Sequence, residues 1–364
     1  MAFLPTGEQR AFVRSLDAML GASDTPAAVR AWAGGDPGPG LAVWGRLAEA
    51  GVWALAVPEA YEGVGPLPVE LAGAFVELGR HAVPGPVAET VAAAVLLGEL
   101  ARRCAPDPAK RLLPALASGG RTATLALADA GTGRVPRALD ADRADLVLVV
   151  RGEELWRAPG HGPVRVSADP ARRLARPAPG GELLAAGPAV TAAAHRARRW
   201  AALATAAQSL GVGLSLLDRT VEYALGRTQF GTSIGTFQAV KHRLADTLLA
   251  LEFARPLLFG AAVGLAAAER EDGWWGAEEG AAGPGPAAGA GLTVDGELAA
   301  AKVAAGEAGY AAARTALQIH GAIGYTEELD LSLWLRKARP LRDAWGDPAS
   351  CRAAVLDAYR GAGS

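Results

Sequence analysis

The stretch around which this chain is organised joins two helix-like runs and reads Arg227-Thr228-Gln229-Phe230-Gly231-Thr232-Ser233-Ile234-Gly235-Thr236-Phe237-Gln238. Apolar residues recur at helical spacing before it, from Ala206 to Leu225, and after it, from Val240 to Phe259. The glycines between these runs predict a tight corner between two long helices. An arginine at such a corner can bind an anion, and a phenylalanine can cover a ring. The alternative is a loop whose arginine is solvated and whose two phenylalanines fill the core.

The composition limits the classes of function. With 364 residues, the chain exceeds one ordinary core and predicts two or three packed domains with room for a site between them. The chain has Lys+Arg 36 and Asp+Glu 38, so its charges nearly balance. It therefore lacks the positive electrostatic potential that would bind nucleic acid or an acidic membrane. Cys104 and Cys351 stand far apart without a CxxC pattern, so we expect neither a disulfide framework nor a metal site. Without a secretory leader or a charge-free apolar span, the chain is expected to be soluble and cytoplasmic.

Hydrophobic periodicity divides the chain into three predicted domains. Residues 1–118 show the spacing of an all-helical domain. Residues 119–190 carry short β-like runs with frequent breaks, which predict a small, shortened β domain. Helical spacing then holds over residues 191–364 and predicts a bundle of about four long helices. A Gly/Ala/Pro-rich tract near residues 273–296 reads as a flexible insertion. The predicted fold class is therefore mainly α with a small β domain in the middle.

A second specific stretch lies near the end of the chain and reads Gln318-Ile319-His320-Gly321-Ala322-Ile323-Gly324-Tyr325. Together with the corner, with Lys302 and with the three-part order, it resembles the acyl-CoA dehydrogenase family. The resemblance covers essentially the whole chain. It implies an N-terminal helical domain, a β-barrel domain and a C-terminal four-helix bundle.

The resemblance also implies a reaction, the α,β-dehydrogenation of a CoA thioester. In the family a glutamate removes the α proton, FAD accepts the β hydride, and hydrogen bonds to the thioester carbonyl stabilise the enolate charge. The cofactor lies across a subunit interface. One subunit holds the flavin ring in its β domain, and the other contacts the pyrophosphate and adenosine through the corner and the Gln-x-x-Gly-Gly segment.

The half-site that contacts pyrophosphate and adenosine is nearly complete in this sequence. The resemblance implies that the corner arginine binds a phosphate, the phenylalanines give apolar cover, and the glutamine and glycines allow a close approach. The implied FAD-binding residues are Arg227, Gln229, Phe230, Phe237, Gln238, Gln318, Gly321 and Gly324. Ala322 replaces the family's second glycine.

The half-site that would hold the flavin ring is eroded. The family's first β-domain loop reads Thr-Glu-Pro-Gly-x-Gly-Ser-Asp, whereas residues 128–135 read Ala-Asp-Ala-Gly-Thr-Gly-Arg-Val. The family's Trp-Ile-Thr-Asn-Gly strand has no clear counterpart between Gly133 and Leu146. Trp156 is either a stand-in for its aromatic residue or a tryptophan that faces the core.

Neither family position for the base holds an acid. Counting along the matching motifs places Trp345 where most members have the glutamate and Ala201 where a minority has it. A tryptophan cannot accept a proton. We therefore predict no catalytic residue in this chain. Asp343 is a weak substitute, since an ion pair with a neighbouring arginine is the alternative for that carboxylate.

This chain keeps the half-site that contacts the pyrophosphate and adenosine of a cofactor held by another subunit, but not the half-site that would hold a flavin ring of its own. In this it resembles the non-base, beta-type subunit of actinobacterial heteromeric α2β2 acyl-CoA dehydrogenases. These are associated with CoA thioesters of steroid side chains. The resemblance implies a Glu-bearing paralogue as partner, FAD shared with it, acyl-CoA in the partner's pocket, and an electron-transfer flavoprotein or similar acceptor.

Two other functions stay open on the sequence. One is a self-sufficient homo-oligomeric flavoenzyme with an unconventional base such as Asp343. The other is a flavin-free scaffold or acyl-CoA-binding protein that keeps Arg227 and Gln318 as structure.

Overall fold

The computed structural model describes residues 5–128, 132–271 and 293–362. Within these ranges the chain is mainly helical, with two small sheets between an N-terminal and a C-terminal group of helices.

The N-terminal part is a set of six helices whose ends follow from capping residues and prolines. Thr6 begins the first helix with a capping box, since its side chain and that of Gln9 each accept from the other's backbone. Gly35 ends the second helix at φ +108, a conformation that favours glycine. The helices are α1 Gly7–Gly21, α2 Thr25–Gly34, α3 Gly38–Glu49, α4 Pro68–Arg80, α5 Val87–Arg103 and α6 Pro106–Ala117.

Short strands form two sheets in the middle of the chain. They are β1 Ala123–Leu127, β2 Ala138–Leu139, β3 Leu146–Arg151, β4 Glu154–Arg157, β5 Arg165–Val166, β6 Arg173–Ala175 and β7 Glu182–Ala186. The larger sheet has the order β1-β3-β4-β7, in which only the β1–β3 pair is parallel, and the smaller has the order β2-β6-β5. Because β1 and β3 are buried on both faces, their sequences are mostly apolar, with Thr124 inside β1 and Arg151 at the end of β3.

Three long helices and two shorter ones form the C-terminal part, where the sequence predicted about four long helices. They are α7 Pro188–Gly226, α8 Gln238–Glu271, α9 Val294–His320, α10 Leu331–Asp343 and α11 Pro348–Ala362. Thr293 caps α9 by accepting from the amide of Gly296, so residues 293–296 begin a helix and are not part of a loop. The rest of the predicted insertion, residues 273–292, lies outside the described residues.

The N-terminal and C-terminal helices share one apolar core, which includes Trp32, Phe75, Leu210 and Trp334. Two glycines let α4 and α7 approach closely within it. A Cβ on Gly79 would lie 2.2 Å from the carbonyl oxygen of Gln208, and one on Gly211 would lie 1.9 Å from that of Val76.

The helices α7 and α8 are each long and apolar enough, by length and composition, to cross a membrane. The most apolar window is 94% buried inside the protein in α7 but only 33% buried in α8. Core helices of soluble proteins pass the same test, which accounts for α7. In α8 the exposed apolar side chains include Leu249, Phe253 and Leu257, spaced four residues apart on one stripe.

Candidate functional site

The predicted corner is a β-hairpin between α7 and α8. Its strands are β8 Thr228–Gln229 and β9 Thr232–Ser233, and the two residues between them both have positive φ, 54° at Phe230 and 77° at Gly231. Asparagine and glycine are the usual residues of such a turn. A bulky aromatic residue at positive φ is a backbone outlier, and outliers of this kind concentrate at functional sites.

Two hydrogen bonds, one from β9 and one from the residue that follows it, hold the hairpin against the end of α7. The amide of Ile234 donates to the carbonyl of Arg227 at 2.8 Å, and the hydroxyl of Ser233 donates to the carbonyl of Ala224 at 2.7 Å. Phe230 and Phe237 contact each other edge to face, with ring centroids 6.4 Å apart. The two rings therefore have a defined mutual position.

Phe230 is 94% exposed and Phe237 is 36% exposed, so the alternative in which these two residues fill the core is wrong. Arg227, Gln229 and Gln238 are exposed as well, and Gln238 is the first residue of α8. Arg227 forms no ion pair with an acidic residue in the described part of the chain. The corner thus presents a cation and an aromatic ring to the outside.

The second predicted segment lies at the end of α9. Gln318 is exposed, and Gly321 follows the helix at φ +63; apart from its neighbours along the chain, no described residue has an atom within 4 Å of the position a Cβ would take. Gly324, in contrast, is buried, and a Cβ there would lie 3.1 Å from Cβ of His320 and 3.3 Å from Cδ1 of Leu317. Gly321 is therefore open to a ligand, whereas Gly324 permits local packing.

A stacked pair of rings places these two segments at the same end of the bundle. Tyr223 lies one turn before Arg227, and its ring stacks on His320 with centroids 4.1 Å apart. The Tyr223 hydroxyl also lies 3.5 Å from the carbonyl oxygen of His320. Burial lowers the pKa of His320, opposed by its hydrogen bond with the carbonyl of Ala316. The sequence analysis missed this pair, although His320 belongs to the quoted segment.

Ala201 and Trp345, the residues predicted to stand at the family's two base positions, meet in another apolar cluster. Ala201 is fully buried in this cluster, and Trp345 packs against it. The hydroxyl of Thr205, one turn after Ala201, lies 3.4 Å from the carbonyl oxygen of Ala344. Neither the methyl group of Ala201 nor the indole of Trp345 can accept a proton.

Trp345 is held in place by a carboxylate from a distant part of the chain. Its indole Nε1 donates to Oε1 of Glu89 at 3.0 Å, and Glu89 is buried in the first turn of α5. Trp345 has φ +57, so this bulky residue, like Phe230, is a backbone outlier. The sequence analysis missed Glu89, because an acidic residue in the first turn is an ordinary feature of helices.

The weak substitute base, Asp343, is the last residue of α10 and is exposed. The expected ion pair with Arg339 or Arg342 is not found among the described residues, and Arg342 Nη2 instead bonds Oε1 of Glu307 at 2.9 Å. Lys302 is buried and donates to the carbonyls of Leu341 and Arg342 at 2.8 and 2.9 Å, so it caps the end of α10. Burial lowers the pKa of Lys302 to about 8.

A second buried carboxylate, Asp140, lies near Glu89. It accepts from Trp32 Nε1 at 3.3 Å, and its other oxygen has no hydrogen-bond partner in the part of the chain that the structure describes. Burial raises the pKa of Asp140 to about 7; the Trp32 hydrogen bond and the charge of Arg172 oppose this shift, and the charge of Glu89 adds to it.

In the loop predicted to have lost the flavin-ring contacts, residues 129–131 lie outside the described residues. Trp156 is half-buried and donates to Glu154 of its own strand at 2.9 Å.

The comparisons with known proteins cover most of the chain and agree on one family. The N-terminal domain family of acyl-CoA dehydrogenases matches residues 6–120, and the C-terminal domain family matches residues 191–355. The acyl-CoA dehydrogenase IpdE2 from Mycobacterium tuberculosis (strain ATCC 25618 / H37Rv) is 33% identical over 336 residues, which are 91% of each chain. The chain belongs to the acyl-CoA dehydrogenase family. The resemblance stated from the sequence is thereby confirmed.

Solved structures share the fold along nearly the full length. The ChsE4–ChsE5 complex from Mycobacterium tuberculosis matches with a TM-score of 0.77 at 23% identity and 98% coverage of each chain. The steroid ACAD Tcur3481–Tcur3483 matches with a TM-score of 0.77 at 24% identity, covering 98% of this chain and 99% of the other. The predicted fold class, mainly α with a small middle β domain, is confirmed.

Proposed function

We propose that this chain is the non-base subunit of a heteromeric FAD-dependent acyl-CoA dehydrogenase and completes an FAD site whose flavin ring belongs to a Glu-bearing partner. The observation that carries the proposal is Phe230, which is nearly fully exposed in a strained backbone conformation beside exposed Arg227. An isolated protein gains nothing from holding an aromatic side chain in water at a conformational cost. A bound cofactor and a second subunit would use both residues.

The residues at this end of the bundle fit a dinucleotide. Arg227 supplies a cation for a phosphate, Phe230 and Phe237 supply aromatic surface, and the open backbone at Gly321 permits a close approach. Gln229, Gln238 and Gln318 are exposed amides that can bond polar groups of the cofactor. FAD, when bound, supplies the acceptor for a hydride.

The stripe on α8 supports a protein partner. Leu249, Phe253 and Leu257 are 54%, 72% and 47% exposed on the helix that directly follows the hairpin. Exposed apolar side chains that share one helix face mark an interaction surface. A paralogue that packs there would cover this stripe, and we propose an α2β2 assembly in the cytoplasm.

The base of the reaction would come from the partner. Trp345 and Ala201 leave no proton acceptor at the family's two positions, and Asp343 faces solvent. The acyl-CoA would therefore bind in the partner's pocket, with an electron-transfer flavoprotein or similar acceptor taking the electrons. Because one relative of the same fold is a steroid ACAD, we propose a CoA thioester of a steroid side chain as the substrate class.

Turnover of the reconstituted complex tests where the base lies. Co-purified with a Glu-bearing paralogue, the complex is expected to oxidise acyl-CoA, and exchange of the partner's glutamate for glutamine should abolish turnover because that glutamate is the proposed base. Asp343→Asn in this chain should leave the rate unchanged. Turnover is measured by reduction of an artificial electron acceptor.

A self-sufficient enzyme is the second candidate, because Glu89 is a buried carboxylate in contact with Trp345. It predicts turnover by this chain alone. In that case Glu89→Gln or Asp343→Asn would remove the activity while flavin stays bound, and the assignment of the base to the partner would be wrong.

A further inference from the structure

Three metal-ligating side chains converge where α1 packs against α4, away from the hairpin and from Trp345. Glu77 lies in α4 and His81 directly follows that helix, four residues later, so the two side chains share one face. Asp17 of α1 completes the set. One ligand atom from each of the three residues lies within 4.8 Å of the others.

Glu77 is the member of this cluster that ordinary packing does not explain. The residue is 7% exposed, and its Oε2 atom is buried without a hydrogen-bond donor among the described residues. Arg80 Nε lies 3.6 Å from this oxygen, while Arg80 Nη2 bonds Asp218 at 2.9 Å. A buried carboxylate oxygen that lacks a hydrogen-bond donor and lies next to a second carboxylate favours a bound cation.

We propose that Asp17, Glu77 and His81 form a binding site for a divalent transition metal of the Zn²⁺ class. One imidazole nitrogen and two carboxylates are a donor set for Zn²⁺, whereas Ca²⁺ and Mg²⁺ require oxygen ligands throughout. The side chain of Asp17 is 56% exposed, so water can reach the fourth position. The metal would join α1 to α4.

The distances between the side chains are close to those that a bound metal requires. His81 Nε2 and Asp17 Oδ1 are 2.8 Å apart. Ligand bonds of about 2.0–2.2 Å place neighbouring donors of a tetrahedral site roughly 3.3–3.6 Å apart. All three separations in the cluster lie within 4.8 Å, and binding of an ion would replace the hydrogen bond between Asp17 and His81 by contacts to the metal.

Titration of the tag-free chain with Zn²⁺ by calorimetry, and with Co²⁺ by visible absorption, tests the site. We expect saturable binding of one ion per chain and a rise in melting temperature with free Zn²⁺. Glu77→Gln and His81→Asn should each weaken binding at least tenfold. His195→Asn is the matched control, because His195 lies 3.6 Å from a single carboxylate, that of Asp295.

Circular dichroism of each variant confirms that it folds before it is titrated. Absence of saturable Zn²⁺ binding to the wild-type chain would overturn the proposal. So would equal affinity in the wild type and in folded Glu77→Gln, or a loss of binding in His195→Asn as large as in His81→Asn.

Discussion

Replacing Arg227 by alanine is expected to weaken FAD binding by the reconstituted complex about 10- to 100-fold, because a charge-assisted hydrogen bond to a phosphate contributes roughly 1.5–3 kcal/mol. Arg227 is exposed at the end of α7, so its removal should leave the fold of the chain intact. Flavin fluorescence during titration of the apo complex measures the affinity directly.

Two variants control this experiment. Arg227→Lys keeps the charge but loses the planar fork, and we expect an intermediate affinity. Arg14→Ala removes an exposed arginine of α1, far along the chain from the hairpin, and should leave FAD binding unchanged. Full flavin content in Arg227→Ala would favour the flavin-free scaffold over the shared site.

Replacing Arg196 by methionine is expected to destabilise the chain by about 3–5 kcal/mol, because it leaves the buried carboxylate of Glu269 without its ion-pair partner, whereas Glu99 keeps Arg102 and Arg103. Arg196 Nη1 bonds Oε2 of Glu99 at 2.9 Å, and its Nε bonds Oε1 of Glu269 at 3.1 Å. Trp200 also donates to Glu269, at 3.0 Å. These contacts join α5, α7 and α8 inside the protein. Urea denaturation of the isolated chain, followed by circular dichroism, measures the loss.

Arg255→Met is the matched control for this substitution. Arg255 pairs with Glu252 of the same helix at 3.1 Å, and both side chains are about half exposed. Pairs of this kind contribute about 0.2–1 kcal/mol. Equal urea midpoints for the two variants would contradict the account of the buried pair.

Much of the architecture could be predicted because hydrophobic periodicity changes along the chain. The spacing of apolar residues changes from helical to alternating after residue 118, shortly before β1 begins. It becomes helical again at Thr191, within the first turn of α7. The helix α2 was missed, since ten residues provide few apolar repeats. Four long helices were expected, but the last part divides into α10 and α11. The buried ammonium of Lys302 ends α10 by binding two of its last carbonyls.

The conformation of the site was harder to predict from residue types. Composition favours burial of phenylalanine, yet Phe230 projects into solvent because the hairpin turn places it at the tip. The contact between Trp345 and Glu89 joins residues 256 positions apart, and no local pattern indicates such a pair. The match of Trp345 and Ala201 to the family's base positions stays a prediction; the structure shows Trp345 packed against the apolar cluster that contains Ala201.

The flavin content of the chain, alone and with its partner, tests the central claim most directly. After purification and dialysis, absorbance and protein mass give the FAD per chain, and native mass spectrometry gives the assembly. We expect negligible FAD in the isolated chain and one FAD per pair of unlike chains in an α2β2 complex. Stoichiometric FAD with turnover in the isolated chain would contradict the claim.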